Sequence, residues 1–530
     1  MSLRRVGYIV GEVDTLTFTF VSDLEHFPAR HEYLIIPKVK ERAGDSFKTI
    51  DVLAQVTRIA NYSDVIGDRL SLSELQTIMD RYGSAPKVFG TASIVGYLDN
   101  REVKHPRSAA VPGQEVYVAP TDLLERFFSG EVASGIDIGG LITREEVRVR
   151  LDPNGFRRHV AVIAQTGAGK SYLVGLILER LLPMGATILV FDPNSDYVMV
   201  RRDNEGKVTK IAQDVVIYRP PGVRGRRYTD DEIGDAVDYT IDFSSLTPDE
   251  VGDVVGIPSS WAVIREAISQ AMKGLSGIYY PTQLEEQLNQ LTSGEDKRLA
   301  GAARRALTYI KRIRNYEIWG SKDIPLDEII KPKRMSIIDL AGLQRKVSEY
   351  IVDKTLSEVW SLAVTGELEH PIFVVLEEAH NFAPSDLEGE ASYTTDRIAS
   401  EGRKFGIFLI VVTQRPRNIS QNVLSQCNSQ IIMRLTNPID MEAVRQSSES
   451  LSENLFQDLP GLNRGEAVIV GELTKVPTMV KISGRESAEG GSDINLTETL
   501  EKALRVYQSE HQIHLSPQEE IKQSSPHSRW

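Results

Sequence analysis

The chain has 530 residues, long enough for three or four domains, and its 41% hydrophobic and 25% charged residues match a soluble globular protein. A net charge of −13 and a pI near 5.4 argue against coating DNA over the whole surface, yet leave room for a local basic channel. The single cysteine, Cys427, excludes intrachain disulfides and a cysteine metal cluster and fits a reducing, cytoplasmic setting, and no apolar run approaches the roughly 20 residues that span a bilayer.

Met1-Ser2-Leu3-Arg4-Arg5 leads into alternating strand patterns rather than a signal-peptide core. Val6 to Val13 and Thr15 to Val21 meet at Asp14, which predicts a hairpin. Glu32 to Ile36, Ile50 to Ala60, Val88 to Leu98 and Glu115 to Ala119 continue the alternation between glycines and prolines. The pattern predicts a small β-barrel over 1–125, which closes its own edges and suits a structural or assembly role. An oligonucleotide-binding barrel is the rival, but the exposed aromatic and basic alternation it needs is not obvious.

Strand and helix patterns then alternate, predicting a parallel sheet with helices on both faces over 126–224 and 331–485. The predicted strands are Val160–Ile163, Thr187–Phe191, Met335–Leu340, Ile372–Leu376, Phe408–Thr413 and Gln430–Leu435. The stretch 225–330 reads as a helical insertion, with Trp261 to Met272, Pro281 to Leu291 and Leu299 to Ile313 its clearest helices. Ala467 to Gly471 and Lys475 to Ile482 suggest a terminal hairpin. Gly484 to Ser492 has linker composition, and 486–530 reads as a C-terminal helix and arm. Leu496, Leu500, Leu504 and Tyr507 share one helical stripe there, and the arm either stays unstructured or lies on a neighbouring subunit.

Residues 164–171, Ala-Gln-Thr-Gly-Ala-Gly-Lys-Ser, stand between a strand and the apolar helix that begins at Tyr172. Such a loop turns successive N–H groups toward phosphate oxygens at the positive end of a helix. Gln165, Thr166, Gly167, Ala168, Gly169, Lys170, Ser171 and Tyr172 are therefore the expected nucleotide-binding residues. Lys170 would reach the β- and γ-phosphates of ATP, and the Ser171 hydroxyl would ligate Mg²⁺. Ala164 replaces the first glycine of the usual pattern, a tolerable change at a strand end.

Phosphate chemistry also needs acids from another strand, and Phe373-Val374-Val375-Leu376-Glu377-Glu378 ends a buried strand in two of them. Glu377 is expected to orient the Mg²⁺ shell through a bridging water, and Glu378 to polarise the attacking water. Gln414, directly after the next strand, can feel the γ-phosphate and pass that to Arg415-Pro416-Arg417-Asn418. Arg403, in Glu401-Gly402-Arg403-Lys404, is the first choice for an arginine reaching into a neighbour's site; capping a helix end is its plainer use. Arg434 and Arg158 are secondary choices. Asp192 either helps hold metal or stabilises a turn, and His380 is a polar neighbour of the acid pair. Candidate DNA contacts are Arg224 and Arg226, within the basic stretch Arg219 to Arg227, together with Arg415 and Arg417. Arg304, Arg305, Lys311, Arg312 and Arg314 form a second basic run, more simply a solvated helix face.

Together, Ala-Gln-Thr-Gly-Ala-Gly-Lys-Ser, Val-Leu-Glu-Glu-Ala-His-Asn-Phe-Ala-Pro, Glu-Gly-Arg-Lys-Phe-Gly and Val-Val-Thr-Gln-Arg-Pro resemble the HerA–FtsK superfamily of ring-forming DNA-pumping ATPases, and most closely its archaeal HerA family. The resemblance implies an α/β fold with a RecA-like phosphate-loop core, an N-terminal β-barrel, a helical insertion and a C-terminal arm. It implies a homohexamer with ATP sites between subunits, duplex DNA in the channel, and a NurA-type nuclease partner in resecting DNA ends for recombinational repair. It also implies Glu378 as the water activator, Arg403 as the arginine acting in trans, and a barrel that serves as collar and nuclease dock. A hexameric ATPase that remodels or transports protein shares the core chemistry and is the main alternative; stimulation of hydrolysis by duplex DNA separates the two.

Overall fold

The structure, a computed structural model, describes residues 3–510 except 64, 65, 67–69, 83–86, 101, 129–134, 224–226, 315–317, 387–389 and 492–495. The chain divides into two units, one ending at Gly490 and one beginning at Gly491.

The first strands are β1 (Arg5–Val13), β2 (Thr17–Ser22), β3 (Tyr33–Ala43), β4 (Ser46–Tyr62), β5 (Lys87–Asp99), β6 (Glu102–Lys104) and β7 (Glu115–Val118). They hydrogen-bond in the order β2-β1-β7-β3-β4-β5, and β2 also pairs with β5, which closes a six-stranded barrel. Asp14 makes the first hairpin: its Oδ1 accepts from the N–H of Leu16 (2.7 Å) and Thr17 (2.6 Å). Phe18, Phe20, Leu34, Ile36, Val52, Val56 and Val116 fill the interior. Gly90 lies under the Phe20 ring, where a Cβ would stand 2.1 Å from Cζ, so glycine is what lets the ring close over this strand. The ladder of β3 runs beyond Pro37, where the sequence alternation stops, because a bulge between Ile36 and Val39 absorbs the residue that lacks a donor. Tyr33 and Ile35 carry the barrel onto the rest of the unit by packing with Phe127 and Phe128 of the Thr121–Phe128 helix. Ion pairs from Arg30 to Asp458 and from Arg144 to Glu32 (3.3 Å) tie the same seam.

The main sheet has twelve strands. Its members in chain order are β8 (Ile136–Leu141), β9 (Arg144–Leu151), β10 (Val160–Ile163), β11 (Thr187–Asp192), β12 (Val215–Arg219) and β13 (Val237–Asp238). A separate pair, β14 (Ile241–Asp242) and β15 (Trp319–Gly320), intervenes. Then come β16 (Arg334–Asp339), β17 (Ile372–Leu376), β18 (Ile407–Thr413), β19 (Ser429–Met433), β20 (Glu466–Val470) and β21 (Thr478–Ile482). The order is β13-β12-β16-β11-β17-β18-β10-β19-β20-β21-β8-β9. From β13 to β19 every pairing is parallel, and β20, β21, β8 and β9 extend the sheet antiparallel. The chain leaves β10 through the Lys170–Leu181 helix and returns at β11, three places away. The gap leaves a crevice at the carboxyl ends of β10, β18, β17 and β11, where open parallel sheets bind ligands.

Between β14 and β16 stand the Pro248–Val254, Ala262–Met272, Pro281–Leu291 and Lys297–Ile313 helices. Asp296 starts the last of these, accepting from the N–H of Arg298 and Leu299. Its Ala303, Ala306 and Ile310 pack into the core while Arg304, Arg305, Lys311 and Arg312 face water, and Arg314 and Lys311 pair with Glu285 at 3.1 and 3.9 Å.

After β21 the segment 483–490 straps the Lys170–Leu181 helix through its backbone and through the buried Arg485, whose guanidinium donates to the Ser171 carbonyl at 2.9 Å. The N–H groups of Glu486 and Ser487 reach the Glu179 carboxylate, that of Ala488 reaches the Arg202 carbonyl at 2.7 Å, and that of Gly490 the Asp196 carbonyl at 3.0 Å. At Gly490 a Cβ would lie 2.2 Å from the Ser195 carbonyl oxygen. In the second unit the Leu496–Glu510 helix exposes Leu496, Leu500, Leu504 and Tyr507 along one stripe.

Candidate functional site

Strand β10 is wholly buried and ends level with β18 and β19, Ile163 pairing with Thr413 and Ile432. Ala164 continues the strand by donating its N–H to the Thr413 carbonyl at 3.2 Å, so an alanine methyl fits where the usual glycine stands. The loop then turns through two left-handed glycines, Gly167 at φ 77° and Gly169 at φ 105°. A Cβ on Gly167 would meet nothing within 4 Å, which marks an open cradle above the loop. Its base is fixed from both sides: the Gln165 N–H donates to the Arg434 carbonyl, Thr436 Oγ1 to Gln165 Oε1 at 2.9 Å, and the Gly465 N–H to the Ala168 carbonyl.

Lys170 turns inward and is 9% exposed at its side chain. It pairs with Glu377 and, at 2.9 Å, with Glu378 Oε1. Burial alone would lower the ammonium's pKa, but the two carboxylates outweigh it and hold Lys170 charged. Glu377 has no exposure, and Tyr197 donates its hydroxyl to the second carboxylate oxygen. Burial pushes Glu377 up against the pull of Lys170.

Glu378 adopts φ 48° and ψ 50°, a left-handed backbone that a non-glycine side chain reaches only at a cost of about 1–3 kcal/mol. The kink turns its carboxylate back over the loop. Oε1 is shared between Lys170 and the amide of Gln414, whose own oxygen accepts from Thr166, so Gln414 joins Glu378 to the phosphate loop. Oε2 is buried without a hydrogen bond, and the His380 ring stands 3.4 Å from it. A buried carboxylate oxygen with open acceptor capacity suits a base that must receive a proton from water.

At the other side of Lys170, Ser171 Oγ donates to Asp196 Oδ2 at 3.1 Å. Asp192 makes the turn that brings Asp196 there: its carboxylate accepts from the N–H of Asn194 (3.2 Å), Asp196 (2.9 Å) and Tyr197 (2.8 Å). Burial, with the charges of Asp196 and Asp339, holds the Asp192 pKa well above the ordinary carboxylate range. Hydroxyl and carboxylate donors beside an inward lysine and an open cradle fit ATP with a hard cation such as Mg²⁺. Tyr172 completes the loop by accepting from the Arg485 N–H at 3.1 Å.

Comparison with known proteins shows the family. A family model described as the central domain of helicase HerA matches residues 136–359, from the first residue of β8. The DNA double-strand break repair helicase HerA of Pyrococcus furiosus is 30% identical over 94% of this chain and 97% of that protein. The chain belongs to the HerA helicase family. A probable helicase of Methanocaldococcus jannaschii, MJ1565, is 29% identical over 94% of each. Among solved structures, VirB4 of Thermoanaerobacter pseudethanolicus overlays on 66% of this chain and 97% of its own at 15% identity, with a TM-score of 0.47.

In this HerA chain the other residues singled out in the sequence fall in different places. Arg403 lies in the turn Gly402–Phe405 before β18, at the amino edge of the sheet. Six strand rises of about 3.3 Å put it roughly 20 Å from Thr413 and the phosphate loop of its own protomer. It is exposed and makes no hydrogen bond or ion pair to the described residues. Arg158 stands at the same edge, paired with Glu472 at 3.2 Å. Arg434 is exposed on the far side of the loop. Arg415 and Arg417 are exposed on the turn after Gln414, with Arg417 3.8 Å from Asp440. Arg224 and Arg226 lie outside the described residues. Arg219 of the same basic stretch is an internal cation, bonded to Asp339 (2.8 Å) and Asp230 (2.9 Å), and so is withdrawn from any polyphosphate.

Three residues at the site have no motif to announce them, Asp196, Tyr197 and Arg485, and at the amino edge of the sheet neither has His159. His159 is 1% exposed, accepts the Leu409 N–H at Nδ1 (2.9 Å) and sets Nε2 3.0 Å from the Ala399 carbonyl, which fixes Nε2 as the protonated nitrogen. It thereby pins the helix that ends at Glu401, just before Arg403, to the start of β10. Burial first, and the Arg403 charge second, push its pKa down to about 4. Between pH 6.5 and 4 the unfolded chain binds a proton here that the fold does not, so acid removes up to about 3 kcal/mol of stability over that window. His159→Gln should flatten the pH dependence of the urea midpoint between those values, and an unchanged slope would contradict the buried neutral imidazole.

Proposed function

We propose that this chain is the subunit of an ATP-driven ring that translocates along DNA as a helicase in double-strand break repair. The observation that carries this reading is the Lys170–Glu378–Gln414–Thr166 network at the mouth of the crevice, on a chain of the HerA family. In hydrolysis Lys170 keeps Glu377 and exchanges Glu378 for β- and γ-phosphate oxygens, which frees Glu378 to accept the proton of the attacking water. The water oxygen bonds to the γ-phosphorus as the bond to ADP breaks. Mg²⁺ at Ser171 would neutralise charge on the phosphate oxygens. Gln414 loses its contact with Glu378 or Thr166 at that moment and moves the turn bearing Arg415 and Arg417.

Arg403, about 20 Å from its own loop by strand length, serves the site of the next subunit, which requires a closed ring, a homohexamer by family likeness. Arg415 and Arg417, with Arg224 and Arg226, are the DNA contacts in the channel. Because they meet phosphates rather than bases, binding is sequence-tolerant and weakens steeply with salt. The barrel is the collar on which a NurA-type nuclease docks for end resection. Among the described residues no helix is long and apolar enough to cross a membrane.

Glu378→Gln is the direct test. It should leave nucleotide binding intact while turnover falls by about 10²–10⁴-fold, the usual worth of a positioned base; residual turnover near wild type would remove Glu378 from this role. The net charge of −13 favours the second reading, a protein-remodelling ATPase. ATP hydrolysis that duplex DNA fails to stimulate would select it.

A further inference from the structure

We propose that Asp196, rather than Glu377, is the carboxylate that holds Mg²⁺ together with Ser171. This rests on the nucleotide-site reading above and names the acid which that reading leaves open. In the phosphate-loop class the metal is held by the loop serine together with a strand-end acid, the place that Glu377 occupies here. The acid next to Ser171 is Asp196, with Oδ2 3.1 Å from Ser171 Oγ. Two ligand oxygens on one edge of a magnesium octahedron with 2.0–2.1 Å bonds are about 2.8–3.0 Å apart, a spacing this pair reaches with a shift of a few tenths of an ångström.

Glu377 is differently occupied. Lys170 takes one of its oxygens and the Tyr197 hydroxyl the other, and it has no exposed surface through which a hydrated cation could reach it. Asp196 makes one side-chain hydrogen bond, the one to Ser171, and keeps 7% exposure. Its position is set by its backbone, with its N–H on Asp192 Oδ1 at 2.9 Å and its carbonyl accepting from Gly490 at 3.0 Å. Asp192, with all its contacts on backbone N–H groups and no exposure, is the residue that places Asp196. Glu377 is then left to hold Lys170 at the head of the loop.

The test compares binding of the non-hydrolysable analogue AMP-PNP to the full-length wild type, Asp196→Asn and Glu377→Gln, by calorimetry with Mg²⁺ and with EDTA. Wild type should bind about tenfold or more tightly with the metal. Asp196→Asn should bring that ratio to within about twofold of unity, and Glu377→Gln should keep the ratio. Electron paramagnetic resonance with Mn²⁺ and AMP-PNP should show bound metal for wild type and Glu377→Gln and free metal for Asp196→Asn. A ratio preserved in Asp196→Asn, or lost only in Glu377→Gln, overturns the assignment. Should Asp196→Asn fail to fold, Asp196→Glu keeps the charge but displaces it by one carbon and should change the ratio by about threefold or more; an unchanged ratio overturns the proposal equally. A wild type that binds no AMP-PNP in either condition would instead defeat the nucleotide-site reading itself.

Discussion

Lys170→Ala should abolish ATP turnover and also destabilise the fold by about 3–5 kcal/mol at neutral pH, the usual consequence of leaving buried charges without their partner. An ordinary surface lysine would show neither effect. Lys170 is the cation facing both Glu377 and Glu378, and all three side chains are buried. Without it, burial already raising the Glu377 pKa acts unopposed by the ammonium. A carboxyl whose pKa is higher in the fold than in the unfolded chain is neutral in both states below about pH 4, so the variant is close to wild type in stability there. The penalty grows as the pH rises from that point toward the raised folded pKa. Urea midpoints of the variant and the wild type at pH 4 and pH 7.5 measure it. Equal destabilisation at both would show that the carboxylates are not the cause. Adding Glu377→Gln to Lys170→Ala should recover part of the stability and none of the turnover, because the structural and chemical uses of Lys170 are then separated.

The phosphate loop and the acid pair were legible in the sequence because each is a contiguous run whose context, a buried strand ending at a sheet edge, repeats in the residues around it. The principal strands were legible for the same reason, being apolar runs four to seven residues long. What escaped depends on contacts made far along the chain. Strand β8 contains Gly139 and Gly140, poor strand formers by propensity, and both are required: a Cβ would lie 2.0 Å from the Lys481 carbonyl oxygen at the first and 2.2 Å from that of Glu145 at the second. Gly484 to Ser492 has a linker's composition, yet 483–490 straps the phosphate-loop helix, through backbone N–H groups on Glu179 and through the buried Arg485, which donates to the Ser171 carbonyl at 2.9 Å, contacts made some 310 residues along the chain. Asp196 was hidden because its neighbourhood to Ser171 is produced by Asp192 folding six residues into a tight turn. The signal available was Asp192-Pro193-Asn194-Ser195-Asp196-Tyr197, two acids flanking a turn at the carboxyl end of a buried strand.

Arg403 should be required for turnover yet act only across a subunit boundary. Arg403→Ala alone should lose about 10³-fold or more of the wild-type rate while binding nucleotide normally. Lys170→Ala alone is inactive for the opposite reason: its own site fails, but it still presents an intact Arg403. When the two variants are co-assembled in equal amounts, an interface works where the Arg403→Ala subunit supplies the loop and the Lys170→Ala subunit supplies the arginine. Random assembly around a head-to-tail ring makes about one interface in four of that kind, so activity should return to that order. The geometry leaves little room for a different outcome within one protomer. Arg403 and Thr413 stand at opposite ends of β18, and the strand between them is buried and paired on both sides, by β17 and β10. No loop movement shortens a strand held in that way. Recovery on mixing therefore requires a neighbour's arginine, and its absence, with both variants shown to share rings, would assign Arg403 to the plainer role of ending the helix before β18.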